Sequence, residues 1–362
     1  MDFKQQPELP ASPLPIAIIG AGGIVRDGHL PAYSLVNFPV MGIFDIDLNK
    51  SRNLQSKFPN INRVFTSLPN LIEEAVKDKA IFDIAVPANN ICSILEQLPD
   101  GCAVLIQKPM GENLEQAIQI LELCQSKKLV SAVNFQLRYA PYSLAAKDII
   151  EQGLIGDVFD MEIKVCVQTP WQLWDFLYTK PRVEVLYHSI HYLDLVRSFL
   201  GNPRKVIAST IKHPNAKELE ATRSNIILDY DQFTQARILT NHGHDYGLEH
   251  QESYLKIEGT KGAIKIKIGL SLDYPNGMPP KMEYVILEDR KGWREINLNG
   301  GWFPHAFVGT MAGLQNHYIH SNKPLLHSTE DALKTMQLVE TVYQSSEKGG
   351  INFYPIQNDR NE

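Results

Sequence analysis

The stretch IAIIGAGGIV (16–25) constrains the fold of this chain more than any other. An apolar run passes straight into a glycine-rich turn, which opens a helical segment. Glycines there permit a tight strand-to-helix turn and let backbone amides approach an anion at the helix N-terminus. The same alternation continues. Short apolar runs at 40–47 (VMGIFDID), 64–67 (VFTS), 82–87 (FDIAVP), 102–109 (CAVLIQKP) and 130–135 (VSAVNF) are separated by amphipathic segments such as 68–78 and 113–128. Six buried strands alternating with helices predict a doubly wound parallel sheet.

After residue 135 the pattern changes. A helix at 141–153 leads into longer strands of period-two alternation at 158–168, 205–211, 224–230, 235–242, 253–259 and 262–268, and a last helix spans roughly 329–346. The fold class is therefore α/β, an N-terminal Rossmann domain followed by a C-terminal α/β domain with a large, mostly antiparallel sheet. The expected division is a mobile Pro-rich tail over 1–14, a doubly wound domain over 15–135, and an α/β domain with the antiparallel sheet over 136–362. A length of 362 residues is consistent with two cores. The net charge of −6, with no basic block, argues against nucleic acid and anionic membrane as partners. No apolar run reaches bilayer length. Cys92, Cys102, Cys124 and Cys166 lack CxxC spacing and read as free thiols of a reducing compartment, so a cytoplasmic location is expected.

The cofactor expectation rests on context. Gly20 and Gly22 fit GxGxxG, Gly23 and Ile24 complete the turn, and Val25 stands at the third glycine. Asp45 ends the second strand, 20 residues after Val25, where a carboxylate accepts from an adenosine ribose 2′-OH and repels a 2′-phosphate. NAD is expected, and NADP less so. Asp47 beside it reads equally as a helix cap. Pro87, Gln107, Lys108 and Asn134 stand at the carboxyl ends of the later strands, where ligands of open α/β sheets bind.

EVLYHSIHYLD (184–194) carries two histidines three apart. At 100° per residue, Leu186, Ser189, Ile190, Leu193, Val196 and Leu200 share one side, while Glu184, His188, His191 and Leu195 form a stripe opposite. That stripe is expected to face solvent or a cleft. Upstream, WQLWDFLY (171–178) supplies Trp171, Trp174 and Tyr178 as aromatic walls for a ring-shaped ligand or as loop anchors.

Together, AIIGAGGIVRDGHLPAY (17–33), DIAVPA (83–88), LIQKPMGENLEQA (105–117), NFQLRYAP (134–141), IEQGLIGDV (150–158), HSIHYLDLVRSFLG (188–201) and YLKIEGTKGAIKI (254–266) resemble the glucose–fructose oxidoreductase / inositol dehydrogenase / rhizopine catabolism family. The resemblance covers roughly 14–345. It implies an NAD(P)-dependent enzyme that moves a hydride between nicotinamide and a hydroxyl-bearing carbon of a sugar, cyclitol or related polyol. A homodimer or homotetramer is also implied. Lys108 matches the lysine of the family's Glu-Lys-Pro signature, with Gln107 in place of its glutamate. His191 matches the catalytic histidine, with Tyr187 where an aspartate stands four residues earlier. Arg138 matches an arginine near the active site, or serves the domain interface.

Three readings of the histidine pair remain open at this level. His191 is a general base with His188 binding or tuning beside it. Alternatively, Glu184, His188 and His191 join His242 and His244 in a metal site, although no metal is expected. Or the pair is structural. Loss of both acidic partners also leaves room for a redox-silent NAD-binding protein, or for a glycoside-cleaving or eliminating enzyme that uses NAD with no net redox.

Overall fold

The computed structural model describes residues 2–350. The end of the expected 136–362 domain, from 351 on, lies outside the described residues. The first sheet holds five parallel strands, β1 (Ile16–Ile19), β2 (Val40–Phe44), β3 (Ile81–Ile84), β4 (Ala103–Ile106) and β5 (Val130–Val133), in the order β2-β1-β3-β4-β5. Every residue of β1, β3 and β4 is buried, as helices on both faces require. The helices of this half are α1 (Leu30–Leu35), α2 (Leu48–Lys57), α3 (Leu68–Lys77), α4 (Ile91–Leu95) and α5 (Leu114–Ser126). Side-chain caps start three of them: Asp47 for α2, Ser67 for α3 and Asn113 for α5. The expected strand at 64–67 is absent. Only isolated bridges form there, Val40 with Ile61 and Ile43 with Val64, so the sheet has five strands instead of six.

After α6 (Pro141–Glu151) comes the second sheet: β6 (Val158–Cys166), β7 (Lys205–Ile211), β8 (Arg223–Asp229), β9 (Gln235–Asn241), β10 (Glu252–Gly259), β11 (Gly262–Lys267), β12 (Lys281–Ile286) and β13 (Arg294–Ile296). Its order is β13-β12-β11-β10-β6-β9-β8-β7, antiparallel except for the β6–β9 pair. Met161, Ile163, Ile226, Ile238 and Leu255 point inward and pack with Ile190, Leu193 and Val196 of α7 (Ile190–Leu200). A period-two strand thus buries one face against an amphipathic helix.

The chain then returns to the first half. In α8 (His305–Ile319), Phe307, Val308, Met311 and Leu314 join Ile16, Ile18, Ile43 and Leu105 in one apolar cluster. α9 (Thr329–Lys348), capped by Ser328, follows a bridge from Ser328 to Ala132 of β5. These two helices bridge the halves: α8 packs on the first sheet, and α9 also bonds to β7 through Ser345 and Ser346.

The Pro-rich N-terminal segment, expected to be mobile, is packed in place. Phe3 is 7% exposed and meets the ring of Tyr284 edge-on at 5.3 Å. The Lys4 amide donates to Asp148 at 3.0 Å, Asn316 donates to the Glu8 carbonyl at 2.8 Å, and the Leu14 amide donates to Gln315 at 2.8 Å. The free thiols Cys92, Cys102, Cys124 and Cys166 are as expected. Among the described residues, no helix is long and apolar enough to cross a membrane.

Candidate active site

The glycine loop has the geometry its sequence predicts. Gly20 has φ +109° and lies so close to β3 that a Cβ would meet the Ala85 carbonyl oxygen at 2.3 Å. Only glycine fits there. Gly22, by contrast, has open space above it, with nothing within 4 Å of a Cβ, and Gly23 is nearly as open. Val25 and Arg26 donate back to the Gly22 carbonyl at 3.1 and 3.2 Å, so the glycines and Ile24 precede the first closed turn. Such a helix N-terminus over an open glycine floor fits a pyrophosphate. Asp45 accepts from the Ala21 amide at 2.7 Å and the Asp47 amide at 2.8 Å, which ties β2 to the loop. Its exposed neighbour Ile46 offers an apolar side chain beside the carboxylate, as an adenine face would require. Pro87 is exposed at the end of β3, and Gln107 is buried at the end of β4 with its side-chain oxygen unpartnered. These groups fit a bound dinucleotide.

Asn134 does not present its side chain to that cleft. It is buried between His29, at 3.1 Å, and the donating hydroxyl of Thr310, at 2.8 Å. His29 in turn meets Asp83 at 2.7 Å, as does the hydroxyl of Tyr33. This buried network joins the glycine-loop helix, the sheet and α8.

Lys108 follows β4 and reaches the second half. Its ammonium donates to the Tyr187 carbonyl at 2.8 Å, and burial lowers its pKa to about 8. Tyr187, in the position of the lost aspartate, turns its hydroxyl away to Glu112 at 3.2 Å. Glu112 is also held by Lys180 at 2.7 and 2.9 Å.

The histidine helix departs from the even 100° spacing. Residues Val185–Ser189 form a π-turn before α7 begins. A π-turn pairs residues five apart, so Glu184 comes over Ser189 instead of extending the stripe to His188. Glu184 is 1% exposed and accepts from the hydroxyls of Ser189 and Ser224 and from His242 Nε2 at 3.3 Å. The expected stripe of Glu184 with His188 and His191 is therefore corrected. The Glu184 carboxylate is fully occupied elsewhere, and it has no access to substrate.

His242 is likewise enclosed, with Nδ1 at 2.8 Å from the Thr169 hydroxyl. It is a wall of the site, not a ligand of substrate. His244 stacks edge-on to Tyr246 at 5.2 Å, and its Nε2 is buried without a hydrogen-bond partner. Among the described residues, no group of three His, Cys, Asp or Glu side chains is arranged to hold a metal ion, so the five-residue metal cluster does not assemble. Of the two places expected for Arg138, its bonds are those of a structural interface. It binds Asp194 through two nitrogens at 2.6 and 2.5 Å, Asp331 at 2.7 Å and the Leu326 carbonyl at 2.6 Å, a structural junction under α7.

His188 and His191 lie close to Lys108. Burial drives both pKa values well below the usual histidine range; His242 and Lys108 add to the effect at His188, and Lys108 and His188 at His191. Both rings are neutral at physiological pH, each with a buried, unpartnered Nδ1. Trp171 is both anchor and wall: it packs with Leu177, Val183 and Leu219, and lies edge-on to His188 at 4.9 Å. Trp174 meets His188 at 5.8 Å and Tyr274 at 5.3 Å, while Tyr178 points to solvent. Trp302, edge-on to His191 at 5.1 Å, went unnoticed in the sequence, as did Tyr274. The only signal for Trp302 is the aromatic pair Trp302-Phe303 in GGWFP (300–304), set between two glycines and a proline.

A glycine-loop Rossmann sheet whose carboxyl edge faces a buried lysine and two neutral histidines defines a two-domain dinucleotide-dependent oxidoreductase. The chain belongs to the oxidoreductase family whose NAD-binding Rossmann fold matches residues 14–135 and whose C-terminal alpha/beta domain matches 147–354. It is 25% identical over 254 residues to the D-apiose dehydrogenase of Rhizobium rhizogenes, covering 68% of this chain and 70% of that one. It is 24% identical to the D-glucoside 3-dehydrogenase of Escherichia coli, over 53% of this chain and 56% of that one. A solved oxidoreductase from Agrobacterium radiobacter, in complex with NAD+, L-tartaric acid and magnesium, superposes with a TM-score of 0.75 at 21% identity. The match covers 94% of this chain and 98% of that one, a likeness of fold.

Proposed function

We propose that this enzyme oxidises, or in reverse reduces, a hydroxyl-bearing carbon of a sugar, cyclitol or related polyol. Lys108 polarises the reacting oxygen and His191 exchanges its proton. The observation that carries this reading is the convergence of Lys108 on the histidine helix. Its bond to Tyr187 sets the ammonium close enough to both rings to oppose their protonation.

Bound NAD supplies the hydride acceptor at the nicotinamide. Gly22, Gly23 and Ile24 hold its pyrophosphate, Asp45 its adenosine ribose, and Gln107 and Pro87 border its nicotinamide end. An uncharged His191 is already in the form that accepts a hydroxyl proton, so the lost aspartate is not needed to deliver a base. The Lys108 ammonium stabilises negative charge developing on the same oxygen. Trp171 and Trp174 offer apolar faces to the ring of the substrate. The relatives named for D-apiose and D-glucoside support a carbohydrate of this kind.

The test is a screen of neutral sugars and cyclitols with NAD, read at the absorbance of reduced cofactor, on wild type and Lys108→Ala. Reduction by wild type with a large loss in the variant is expected. A variant that binds NAD and keeps full turnover overturns the role of Lys108. Tight NAD binding with no reduction across the panel supports a redox-silent binding protein, and glycoside release without reduced cofactor supports a cleaving enzyme.

A further inference from the structure

The reaction proposed above needs the ring of His191 held at a set angle, yet the nitrogen that would ordinarily be bonded for that purpose is free. We propose that Trp302 sets the ring, and that Gln5 of the N-terminal segment is a positioning residue that holds the loop carrying Trp302. The N-terminal segment then works as a strap behind the wall of the site. For its effect on rate this inference rests on the oxidoreductase reading.

A working imidazole is usually oriented by a hydrogen bond at its second nitrogen, often to a carboxylate. Here Tyr187 stands four residues before His191 and sends its hydroxyl to Glu112, while Nδ1 of His191 is buried without a partner. Packing must therefore fix the ring. Its aromatic neighbour is Trp302, edge-on at 5.1 Å with the planes 87° apart. Trp302 is 7% exposed and also meets Tyr192 at 6.4 Å.

Trp302 lies in the loop 297–304, between β13 and α8. Among the described residues, 297–301 make no backbone-to-backbone hydrogen bond. The Gln5 carboxamide takes that place: Nε2 donates to the Asn297 carbonyl at 2.9 Å, and Oε1 accepts from the Asn299 amide at 2.8 Å. One amide group that meets the carbonyl of a residue and the N–H two residues on imitates a neighbouring parallel strand. After this clamp come Gly300 and Gly301, and the Gly301 amide reaches His305 Nδ1 only at 3.4 Å. The loop also has room to shift, because Leu298, Gly301 and Trp302 border a cavity of about 520 Å³ with Met278 and Pro280. Gln5 itself is anchored on either side. Phe3 packs on Tyr284, the Lys4 amide donates to Asp148 at 3.0 Å, and Glu8 holds Lys323 at 2.8 Å.

The experiment uses the full chain labelled with 5-fluorotryptophan, together with NAD and the sugar or cyclitol of the panel above that it oxidises fastest. Trp302→Phe assigns the fluorine resonance of Trp302. Gln5→Met keeps the length of the side chain and removes both bonds. In it the Trp302 resonance should shift or broaden while those of Trp171, Trp174 and Trp293 stay in place. Its kcat should fall roughly 10-fold with KM for NAD unchanged, since the displaced ring belongs to the proton-exchanging side. Gln5→Glu keeps the acceptor and loses the donor, so it should lie between the two. Lys323→Ala loosens the strap away from the loop and should match wild type in both readouts. If Gln5→Met melts early, Gln5→Glu against wild type carries the comparison. An unmoved Trp302 resonance, or a moved one with kcat unchanged, overturns this inference and leaves the oxidation standing. A wild type that reduces no NAD across the panel overturns the oxidation and the effect on rate, while the resonance still decides whether Gln5 holds Trp302.

Discussion

Lys108 donates from its ammonium to the Tyr187 carbonyl at 2.8 Å, a bond that spans 79 residues and joins the end of β4 to the π-turn before α7. It places a buried ammonium beside two imidazoles whose charged forms burial disfavours. Burial lowers the amine from its ordinary 10.5 to about 8. Above pH 8 the folded protein therefore loses the ammonium to which the proposed polarisation of the substrate is assigned. The pH profile of kcat/KM should show a basic limb near 8 and no acidic limb between 6 and 7, since His191 is already neutral there. A rate that stays flat to pH 10 would remove Lys108 from the chemistry. Stability follows the opposite course. Between about 8 and 10.5 the unfolded chain binds the extra proton, so stability rises with pH; below about 8 the burial cost is present in full.

The two glycines of the turn should separate folding from cofactor binding. Gly20→Ala forces a Cβ to 2.3 Å from the Ala85 oxygen at positive φ, and should lower the melting temperature as well as NAD affinity. Gly22→Ala meets nothing within 4 Å in the protein, so its melting curve without NAD should match wild type. Its NAD affinity should fall, because the methyl occupies the approach of the pyrophosphate. Calorimetric titration together with thermal melts reads both.

Asp45 is the residue proposed to select the cofactor. Asp45→Ala should weaken NAD about 10- to 100-fold, the worth of hydrogen bonds to a charged group, and narrow the gap to NADP. Measured KM values for the two cofactors decide it, and an unchanged ratio would show that the carboxylate serves only the Ala21 and Asp47 amides.

Arg138 and Asp194 test the structural side. Asp194 is 1% exposed, binds Arg138 through both oxygens and accepts from Thr335 at 2.9 Å. Asp194→Ala leaves a largely buried guanidinium short of its partner, and should cost about 3–5 kcal/mol in denaturant unfolding. A loss of activity without a loss of stability would instead return Arg138 to the substrate site.

The N-terminal segment should contribute to stability. Phe3→Ala removes a buried ring from the face of Tyr284 and should cost about 3 kcal/mol. An unchanged melting temperature would restore the view of a free tail.

What the sequence determined by itself was local. The passage from IAIIG into GAGG, the carboxylate ending VMGIFD and the all-apolar strands are governed by backbone sterics and burial period, which a short window contains. The strand expected at 64–67 failed because a short apolar run carries no record of whether a neighbour is free to pair. α8 was missed because it is apolar nearly all round, buried between the halves, and so shows little periodicity. The site was half legible. Lys108 and His191 could be placed from their motifs, but the role of Glu184 could not. Its partners Ser224 and His242 lie 40 and 58 residues away, and a single π-turn shifts the face it presents. EVLYHSIHYLD contains no sign of either, because both the turn and the carboxylate's partners are set by packing against the second sheet.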